Sequence, residues 1–312
     1  MGSDIKANKI KNIRKYALVI IFVALCAFFT IMTDSFLTMS NIVDMLRSNS
    51  ISGLLSVGVT YVILAGGIDL STEAVACLAG IVAGVLSDKP FIALIAGILV
   101  GLIVGFINGT LLVYTGVQPF IYTLAMSRLL KGVVLIYTKG IAIYDIDESL
   151  KVFARGSLGP VPIPIFIFVL LVVVSYLLLN HTKTGRYLYS VGSNREASRL
   201  SGIPTKKISI MTYVISGVLA ALAGVLLTSR VSSAEANAAE GWALNAISAV
   251  IIGGTSMRGG EGGILNTILG IFLLAVLDNG MVLMNVPTNY NQFIKGALML
   301  VAILLDTSRK KD

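Results

Sequence analysis

Long apolar segments fill most of the chain, and short polar segments separate them. About 20 apolar residues in helical form cross the ~30 Å hydrocarbon core of a bilayer. Segments near this length occupy residues 16–33, 91–113, 119–137, 161–180, 208–228, 264–284 and 290–306. Three shorter apolar segments, typical of broken or tilted helices whose free backbone groups are satisfied inside the protein, occupy residues 51–65, 73–86 and 243–252. The pattern therefore predicts about ten transmembrane helices, including short broken ones.

The composition agrees with a chain that lies mostly in lipid. Hydrophobic residues make up 56% of the 312 positions and charged residues 13%, with a mean hydropathy of +0.89. A soluble domain of this composition would carry more apolar surface than its core could hide. We therefore expect an all-α membrane protein. The two cysteines, Cys26 and Cys77, fall inside predicted helices, so a disulfide framework is not expected.

Lysine and arginine concentrate at both ends of the chain and in the polar segment 181–207. Loops rich in these residues stay in the cytoplasm, and ten crossings also return the chain to the side where it starts. We expect a cytoplasmic segment 1–15, a transmembrane domain 16–306 that contains the cytoplasmic loop 181–207, and a cytoplasmic tail 307–312. The net charge of +8 reflects this topology and contact with anionic membrane lipids, so nucleic acid is not an expected partner.

Several polar segments are predicted to lie on the opposite side of the membrane, namely residues 34–50, 87–90, 138–160, 229–242 and 285–289. The largest of them, 138–160, carries charges of both signs. It is either a docking rim for a soluble partner or a solvated loop, and its residues favour neither interpretation.

The basic segment 181–207 carries a helix signal. Ser193 and Glu196 match the S-x-x-E capping box, in which each side chain satisfies a free backbone amide of the other residue, so a helix of about two turns is predicted over 194–201. Gly202 suits the left-handed residue after a helix, and Pro204 prevents continuation. So short a helix must rest on a neighbour. Its predicted faces are Ala197 and Leu200 on one side and, around the rest, Arg195, Ser198 and Arg199.

Glu196 has two interpretations, a cap alone or part of a helix that enters a groove on a cytoplasmic motor protein. The run from Arg195 to Ile203 resembles the coupling segment, with a Glu-Ala-Ala core and a following glycine, of permease subunits in bacterial ABC importers. More narrowly, the chain resembles the ribose-type permeases, which cover ribose, xylose, arabinose, galactoside and autoinducer-2 systems. The motifs that carry the resemblance are Gly67–Ser71, Gly116–Ile121, Thr184–Tyr187, Arg195–Ile203, Ala246–Ser256 and Gly259–Gly262.

Two positions depart from that family pattern. Ser198 stands where a second alanine is usual, although serine still fits a contact between small residues. Asn245 stands where aspartate is common, which argues against a role that needs a charge at that position.

The resemblance implies the ABC importer permease fold, in which two permease subunits form the path, with a homodimer favoured over pairing with a similar second permease. An ATP-binding cassette subunit would grip the coupling helix, and an extracytoplasmic solute-binding protein would deliver a small sugar. The protein would be a multi-pass component of a bacterial plasma (inner) membrane. Residues expected to couple to the ATPase are Arg195, Glu196, Ala197, Arg199, Leu200 and Gly202.

The sequence itself agrees with a transport subunit that does not hydrolyse ATP. It contains no G-x-x-x-x-G-K-[ST] phosphate loop, so ATP hydrolysis is expected on a separate polypeptide. It contains no H-E-x-x-H or G-x-S-x-G motif, and its single histidine is His181. We therefore expect neither an enzyme nor a bound cofactor or metal.

Polar and aromatic residues in or beside apolar segments mark the expected path: Asp69, Asn108, Gln118, Phe120 and Tyr122. A carboxylate within the membrane is costly and is a functional candidate by default. For Asp69 we favour the competing interpretation, a cap on the helix beginning near Ser71, with the carboxylate accepting the free amides around Thr72 and Glu73. The side chains of Asn108 and Gln118 suit sugar hydroxyls, or they join helices by hydrogen bonds.

Glycines at four-residue intervals predict helices that approach each other closely. These glycines are Gly101, Gly105 and Gly109 in one segment, and Gly80 and Gly84 in another. A further cluster of glycines over 253–263 is interpreted as a flexible cytoplasmic link, with Arg258 free to contact the ATPase or lipid headgroups.

Two other functional classes stay open. An ion-coupled secondary transporter or channel would need several membrane-embedded carboxylates or matched halves, and only Asp69, followed by Glu73, qualifies. An intramembrane enzyme would need a nucleophile and a base within the apolar segments, and none is visible. The path residues carry no run of charge, which favours a small neutral sugar. Pentose, hexose, autoinducer-2 and nucleoside are alternatives that these residues do not separate.

Overall fold

A computed structural model describes residues 18–308 of the chain, with side chains described for 18–287 and 289–300. The helices are α1 Leu18–Met32, α2 Met39–Leu64, α3 Thr72–Val85, α4 Pro90–Thr115, α5 Pro119–Thr138, α6 Glu148–Arg155, α7 Ile163–His181, α8 Lys183–Ser193, α9 Arg195–Leu200, α10 Thr205–Val231, α11 Trp242–Ile252, α12 Ile264–Leu283 and α13 Thr288–Ser308. A short antiparallel hairpin pairs β1 Ser157–Leu158 with β2 Val161–Pro162. The predicted segment 1–15 and residues 309–312 of the predicted tail lie outside the described residues.

Each of the ten apolar segments predicted from the sequence corresponds to a helix. Five helices, α4, α5, α7, α10 and α12, are long and apolar enough to cross a membrane, and α1, α3 and α11 are shorter apolar helices. The all-α membrane class is therefore confirmed. The number of ten crossings stays a prediction.

Helix α2 differs from its predicted form. The segment 51–65 was expected as a short broken helix, but it is the second half of a 26-residue helix. Residues 39–50, which were expected outside the membrane, form most of the first half. Sequence reasoning missed this half because Asp44, Arg47 and their polar neighbours interrupt the apolar pattern.

Part of the predicted loop 138–160 is also helical. Asp147 caps α6, since its carboxylate accepts the amide of Ser149 at 2.8 Å, and the hydrogen bonds from Ser149 lower the pKa of Asp147. The hydroxyl of Ser229 on α10 accepts the amide of Ala154 at 3.0 Å and donates to the carbonyl of Leu150 at 2.7 Å. This part of the loop is thus anchored on the bundle.

Helix α10 forms the centre of the bundle and packs against α2, α3 and α4. On α4, a side chain at Gly101 would collide with the carbonyl of Gly217, and one at Gly105 would lie 2.8 Å from the Cα of Val214. The close helix approach predicted from the glycine spacing is therefore confirmed, and it occurs within one chain. The glycine spacing on α3 also allows a close approach to α10, because a side chain at Gly80 would meet Thr228 and Gly224 of α10.

The outer faces of α4, α5 and α7 are apolar and exposed. Side chains such as Phe91, Phe106 and Ile136 are 73%, 54% and 82% exposed. Contiguous apolar surface of this extent marks contact with lipid or with another protein. These helices therefore form the outside of the bundle, and α10 its inside.

The two ends of the bundle differ in their elements. We name the end that carries α8 and α9 the handle end, and the opposite end the far end. Helix α10 starts at the handle end with Thr205 and reaches α6 at the far end, where Arg155 donates to the carbonyl of Arg230 at 3.1 Å. Helix α2 runs the other way, because Leu64 at its end accepts a hydrogen bond from Gly260 near α8.

The contact between α4 and α10 gives a stability prediction. We expect Gly105→Ala to lower the free energy of unfolding by about 1–3 kcal/mol, because an added methyl group meets backbone atoms and overpacks the interface. Gly132→Ala on α5 is the matched control, since nothing lies within 4 Å of the added group and alanine favours the helix. Thermal unfolding in detergent checks both. An unfolding midpoint of Gly105→Ala equal to that of Gly132→Ala would contradict the close contact.

Candidate functional site

The handle, which we define as residues 183–202, consists of α8 and α9 joined at Asn194. The side chain of Asn194 caps α9 by accepting the amide of Ala197 at 2.9 Å. The predicted cap at Ser193 is wrong by one residue, because Ser193 is the last residue of α8. Asparagine is among the best N-cap residues, and its extended backbone, with φ at −156°, provides the turn between the two helices. Gly202 takes the predicted left-handed conformation, with φ at +78°.

Glu196 pairs with Arg199 on the exposed surface of α9. The guanidinium Nε of Arg199 donates to the carboxylate of Glu196 at 3.0 Å. This hydrogen bond lowers the pKa of Glu196 and raises that of Arg199. Among the described contacts, Glu196 accepts no backbone amide. The interpretation of Glu196 as a cap alone is therefore not supported.

Ser198 holds α9 against α8. It is buried, its hydroxyl donates to the carbonyl of Asn194, and it lies 2.8 Å from the hydroxyl of Ser190 on α8. The sequence grouped Ala197 and Leu200 on one side of α9 without showing which side is packed, and the structure shows that the packed side is that of Ser198. Leu200 is 73% exposed, so the handle presents an apolar side chain beside the Glu196–Arg199 ion pair.

A joint of backbone contacts links the handle to two parts of the bundle. We define the joint as residues 64–67 at the end of α2, 192–193 at the end of α8, and 259–260 in the link between α11 and α12. The amide of Gly260 donates to the carbonyl of Leu64 at 2.9 Å. A side chain at Gly192 would collide with both of these groups, and one at Gly259 would lie 2.8 Å from the amide nitrogen of Gly66. Close packing thus replaces the flexible link that was predicted there.

Asp69 lies in a buried polar cluster between α2 and α3. Its carboxylate accepts the amide of Ser71 at 3.0 Å and the hydroxyls of Ser71 and Ser216 at 2.6 and 3.0 Å. The amide group of Asn108 donates to the hydroxyl of Ser71 at 2.9 Å. Asp69 therefore does satisfy a free backbone amide, but that amide belongs to Ser71 and not to Thr72 or Glu73.

The other predicted path residues do not join one site. Gln118 and Phe120 are exposed at the start of α5. Tyr122 packs beside Val62, Leu112 and Tyr213. None of the five predicted path residues lines the large cavity described next.

The far-end cavity has a volume of about 440 Å³ and lies among α2, α10, α11, α12 and α13. Many of its polar wall residues stand at four-residue intervals on one face of α2, namely Asp44, Ser48, Ser52 and Ser56. Sequence reasoning missed this site because residues 34–50 were interpreted as a loop. The regular polar interval was the signal that marks a helix face. Across the cavity stand Arg230, Asn245, Asp278 and Lys295.

Two polar contacts hold the far-end walls together. Asn41 on α2 and Asn279 on α12 exchange hydrogen bonds of 2.8 and 2.7 Å. Lys295 on α13 lies 2.8 Å from the carboxylate of Asp278. These contacts fix α2, α12 and α13 around the cavity.

Comparisons with known proteins give a consistent assignment. A family model described as "Branched-chain amino acid transport system / permease component" matches residues 41–303. The ribose import permease protein of Bacillus subtilis (strain 168) is 40% identical over 288 residues, which cover 91% of this chain and 89% of that protein. The D-allose transport system permease protein of Escherichia coli (strain K12) is 34% identical over 297 residues, with coverage of 94% and 91%.

A more distant relative is the xylose transport system permease protein of Haemophilus influenzae (strain ATCC 51907 / DSM 11121 / KW20 / Rd). It is 29% identical over 366 residues, with coverage of 96% of this chain and 98% of that protein. No solved structure matches the chain.

The buried cluster gives a second stability prediction. Asp69→Ala leaves the amide of Ser71 and the hydroxyl of Ser216 without their acceptor, and each buried unpaired group costs about 1–3 kcal/mol. Ser216→Ala removes one hydrogen bond and should cost about 1 kcal/mol. Thermal unfolding in detergent measures both variants. Equal unfolding midpoints for Asp69→Ala and the wild type would rule out the structural role assigned to this carboxylate.

Proposed function

The chain belongs to the branched-chain amino acid transport system / permease component family, and we propose that it carries a small neutral sugar into the cell. The observation that carries the proposal is similarity along about nine tenths of the chain to permeases named for ribose and D-allose. As a permease component, the chain is a multi-pass membrane subunit and not an enzyme. An ATP-binding subunit hydrolyses ATP, and a solute-binding protein is the other partner.

We propose that the handle end faces the cytoplasm, together with both chain termini. The support is the positive-inside rule applied to the segment 181–207, whose basic residues are all exposed. They are Lys183, Arg186, Arg195, Arg199, Lys206 and Lys207. The transmembrane domain 16–306 is then flanked by cytoplasmic segments 1–15 and 307–312.

The path is proposed to form with a second copy of this chain. A homodimer agrees with the ribose-type resemblance, and the exposed apolar faces of α4, α5 and α7 offer surface for lipid and for a second subunit. In this assembly Asp69 and Asn108 hold the break between α2 and α3 beside the path. Gln118, Phe120 and Tyr122 lie near the handle-end start of α5.

Coupling is proposed to run through the handle. The ATP-binding subunit contacts the exposed side chains of α9, namely Arg195, Glu196, Ala197, Arg199 and Leu200, while Gly202 ends the helix. When the ATP-binding subunits close, α9 moves with them. The joint at Gly192 passes this movement to the end of α2 and to the link before α12, because the backbones there pack too closely for a side chain to fit between them.

The proposed function is tested by uptake in proteoliposomes that contain this chain, its ATP-binding subunit and its binding protein. We expect ATP-dependent uptake of one or more labelled sugars from a panel of pentoses and hexoses, with autoinducer-2 and nucleosides included. Glu196→Ala and Arg199→Glu should lower uptake about tenfold or more, a coupling loss within the usual range. Uptake driven by an ion gradient without ATP would overturn the proposal.

The double variant Glu196→Arg/Arg199→Glu is the matched control for this test. It keeps an ion pair three residues apart on α9 but reverses the charges that a partner meets. If the pair only stabilises the helix, the double variant restores uptake. We expect it not to restore uptake, because the partner contact is lost.

The joint gives a separate prediction. Gly192→Ala places a methyl group against the carbonyl of Leu64 and the amide of Gly260, so the joint must open. We expect roughly tenfold slower sugar uptake, as for other substitutions along a coupling route. Binding of the ATP-binding subunit should be retained, because the exposed face of α9 is unchanged. Uptake equal to that of Gly132→Ala would show that the joint transmits nothing.

A further inference from the structure

We propose that the far-end cavity of each permease chain holds one neutral sugar molecule, before the sugar passes into the path between the two chains. This inference rests on the proposed function and adds the place and the residues of binding. None of the path residues predicted from the sequence takes part in it.

The size and the walls of the cavity fit a small solute. Its volume of about 440 Å³ lies within the range of roughly 300–1,000 Å³ that is usual for small-molecule sites. It is built by rigid helices rather than by loops, and the contacts Asn41–Asn279 and Lys295–Asp278 fix three of them. A site of this kind is largely formed before the ligand arrives.

The chemistry of the walls matches a polyhydroxyl ligand. One wall is the polar face of α2, with Ser48, Asn49 and Ser52. Asn245 on α11 faces the same space. Hydroxyl and amide groups both donate and accept hydrogen bonds, as the hydroxyls of a sugar do. Trp242 supplies an aromatic ring, and the apolar C–H face of a sugar ring packs well against such a surface.

The charges in the wall balance each other, which favours a ligand without net charge. Asp44 and Asp278 oppose Arg230 and Lys295, and Asp278 is already paired with Lys295 at 2.8 Å. The second carboxylate oxygen of Asp278 is buried and accepts no hydrogen bond among the described residues. A buried acceptor without a partner costs free energy, and a sugar hydroxyl is a donor that would satisfy it.

The cavity is also connected to the joint. Helix α2 walls the cavity with residues between Asp44 and Ser56 and reaches the joint with its last residue, Leu64. Helices α11 and α12 wall it as well, and Gly259 and Gly260 of the joint lie in the link between them. A movement of the handle therefore acts on the helices that surround the bound sugar.

Cysteine labelling tests the cavity. The background carries Cys26→Ser and Cys77→Ala, which removes both cysteines of the chain. Ser52→Cys then places one thiol in the wall, and Asn245→Cys gives a second, independent position on α11. Ser35→Cys is the matched control, because it is exposed at the same end but does not line the cavity. The probe is a bulky, membrane-impermeant methanethiosulfonate reagent, applied to the complete transporter in proteoliposomes.

We expect labelling of Ser52→Cys and Asn245→Cys to lower ATP-dependent uptake at least tenfold. The transported sugar, supplied with the binding protein and ATP, should slow labelling at both positions at least threefold. Labelling of Ser35→Cys should leave uptake unchanged. The sugar should not change the rate at which Ser35→Cys is labelled.

Other results separate the two claims. If neither the wild type nor the cysteine-free background shows ATP-dependent uptake of any sugar, the proposed function fails. If uptake is present but the wall positions do not react, react without loss of uptake, or react at a rate that sugar does not change, the cavity proposal is overturned while the importer stands. Protection by charged solutes instead of neutral sugars would also overturn it.

Discussion

Backbone groups freed at a helix break inside a membrane must find partners within the protein, and this constraint organises the polar residues of the bundle. At the break between α2 and α3, the hydroxyl of Thr123 accepts the amide of Leu70 at 3.1 Å, and Asp69 accepts that of Ser71. At the start of α11, the carboxylate of Glu73 accepts the amides of Gly241 and Ala243. Next to these breaks, the carboxylates of Asp69 and Glu73 and the hydroxyl of Thr123 are thus engaged by backbone amides.

The same constraint explains which parts of the molecule could be predicted. Apolar length located ten of the helices, although only the second half of α2 was predicted. Polar residues were harder to interpret, because a carboxylate such as Asp69 looks the same in sequence whether it binds a solute or a backbone amide. Asp44 was overlooked for the opposite reason. It stands in a polar segment that was interpreted as a loop, although its spacing to Ser48 and Ser52 is that of one helix face.

The handle shows how far local signals reach. The sequence located a capped helix and its glycine end within one residue, because capping is a local interaction. It did not give the buried side of α9, since that depends on α8. Ser198 is buried because its hydroxyl meets Ser190, a contact that no spacing within α9 reveals. Leu200 is consequently left exposed, where it adds an apolar contact to the charged surface.

In the proposed mechanism, helix α2 connects the two ends of the bundle. Its 26 residues form a rod of about 39 Å at 1.5 Å per residue, with the joint at one end and the cavity wall at the other. A tilt of about 5° at the joint moves the far end of a rod of that length by about 3 Å, which is comparable to the thickness of a sugar ring. A flexible link would absorb such a tilt. In the proposed mechanism the glycines of the joint prevent this, because they let α2, α8 and the link before α12 meet backbone to backbone, so that a small movement of α9 would reach the cavity.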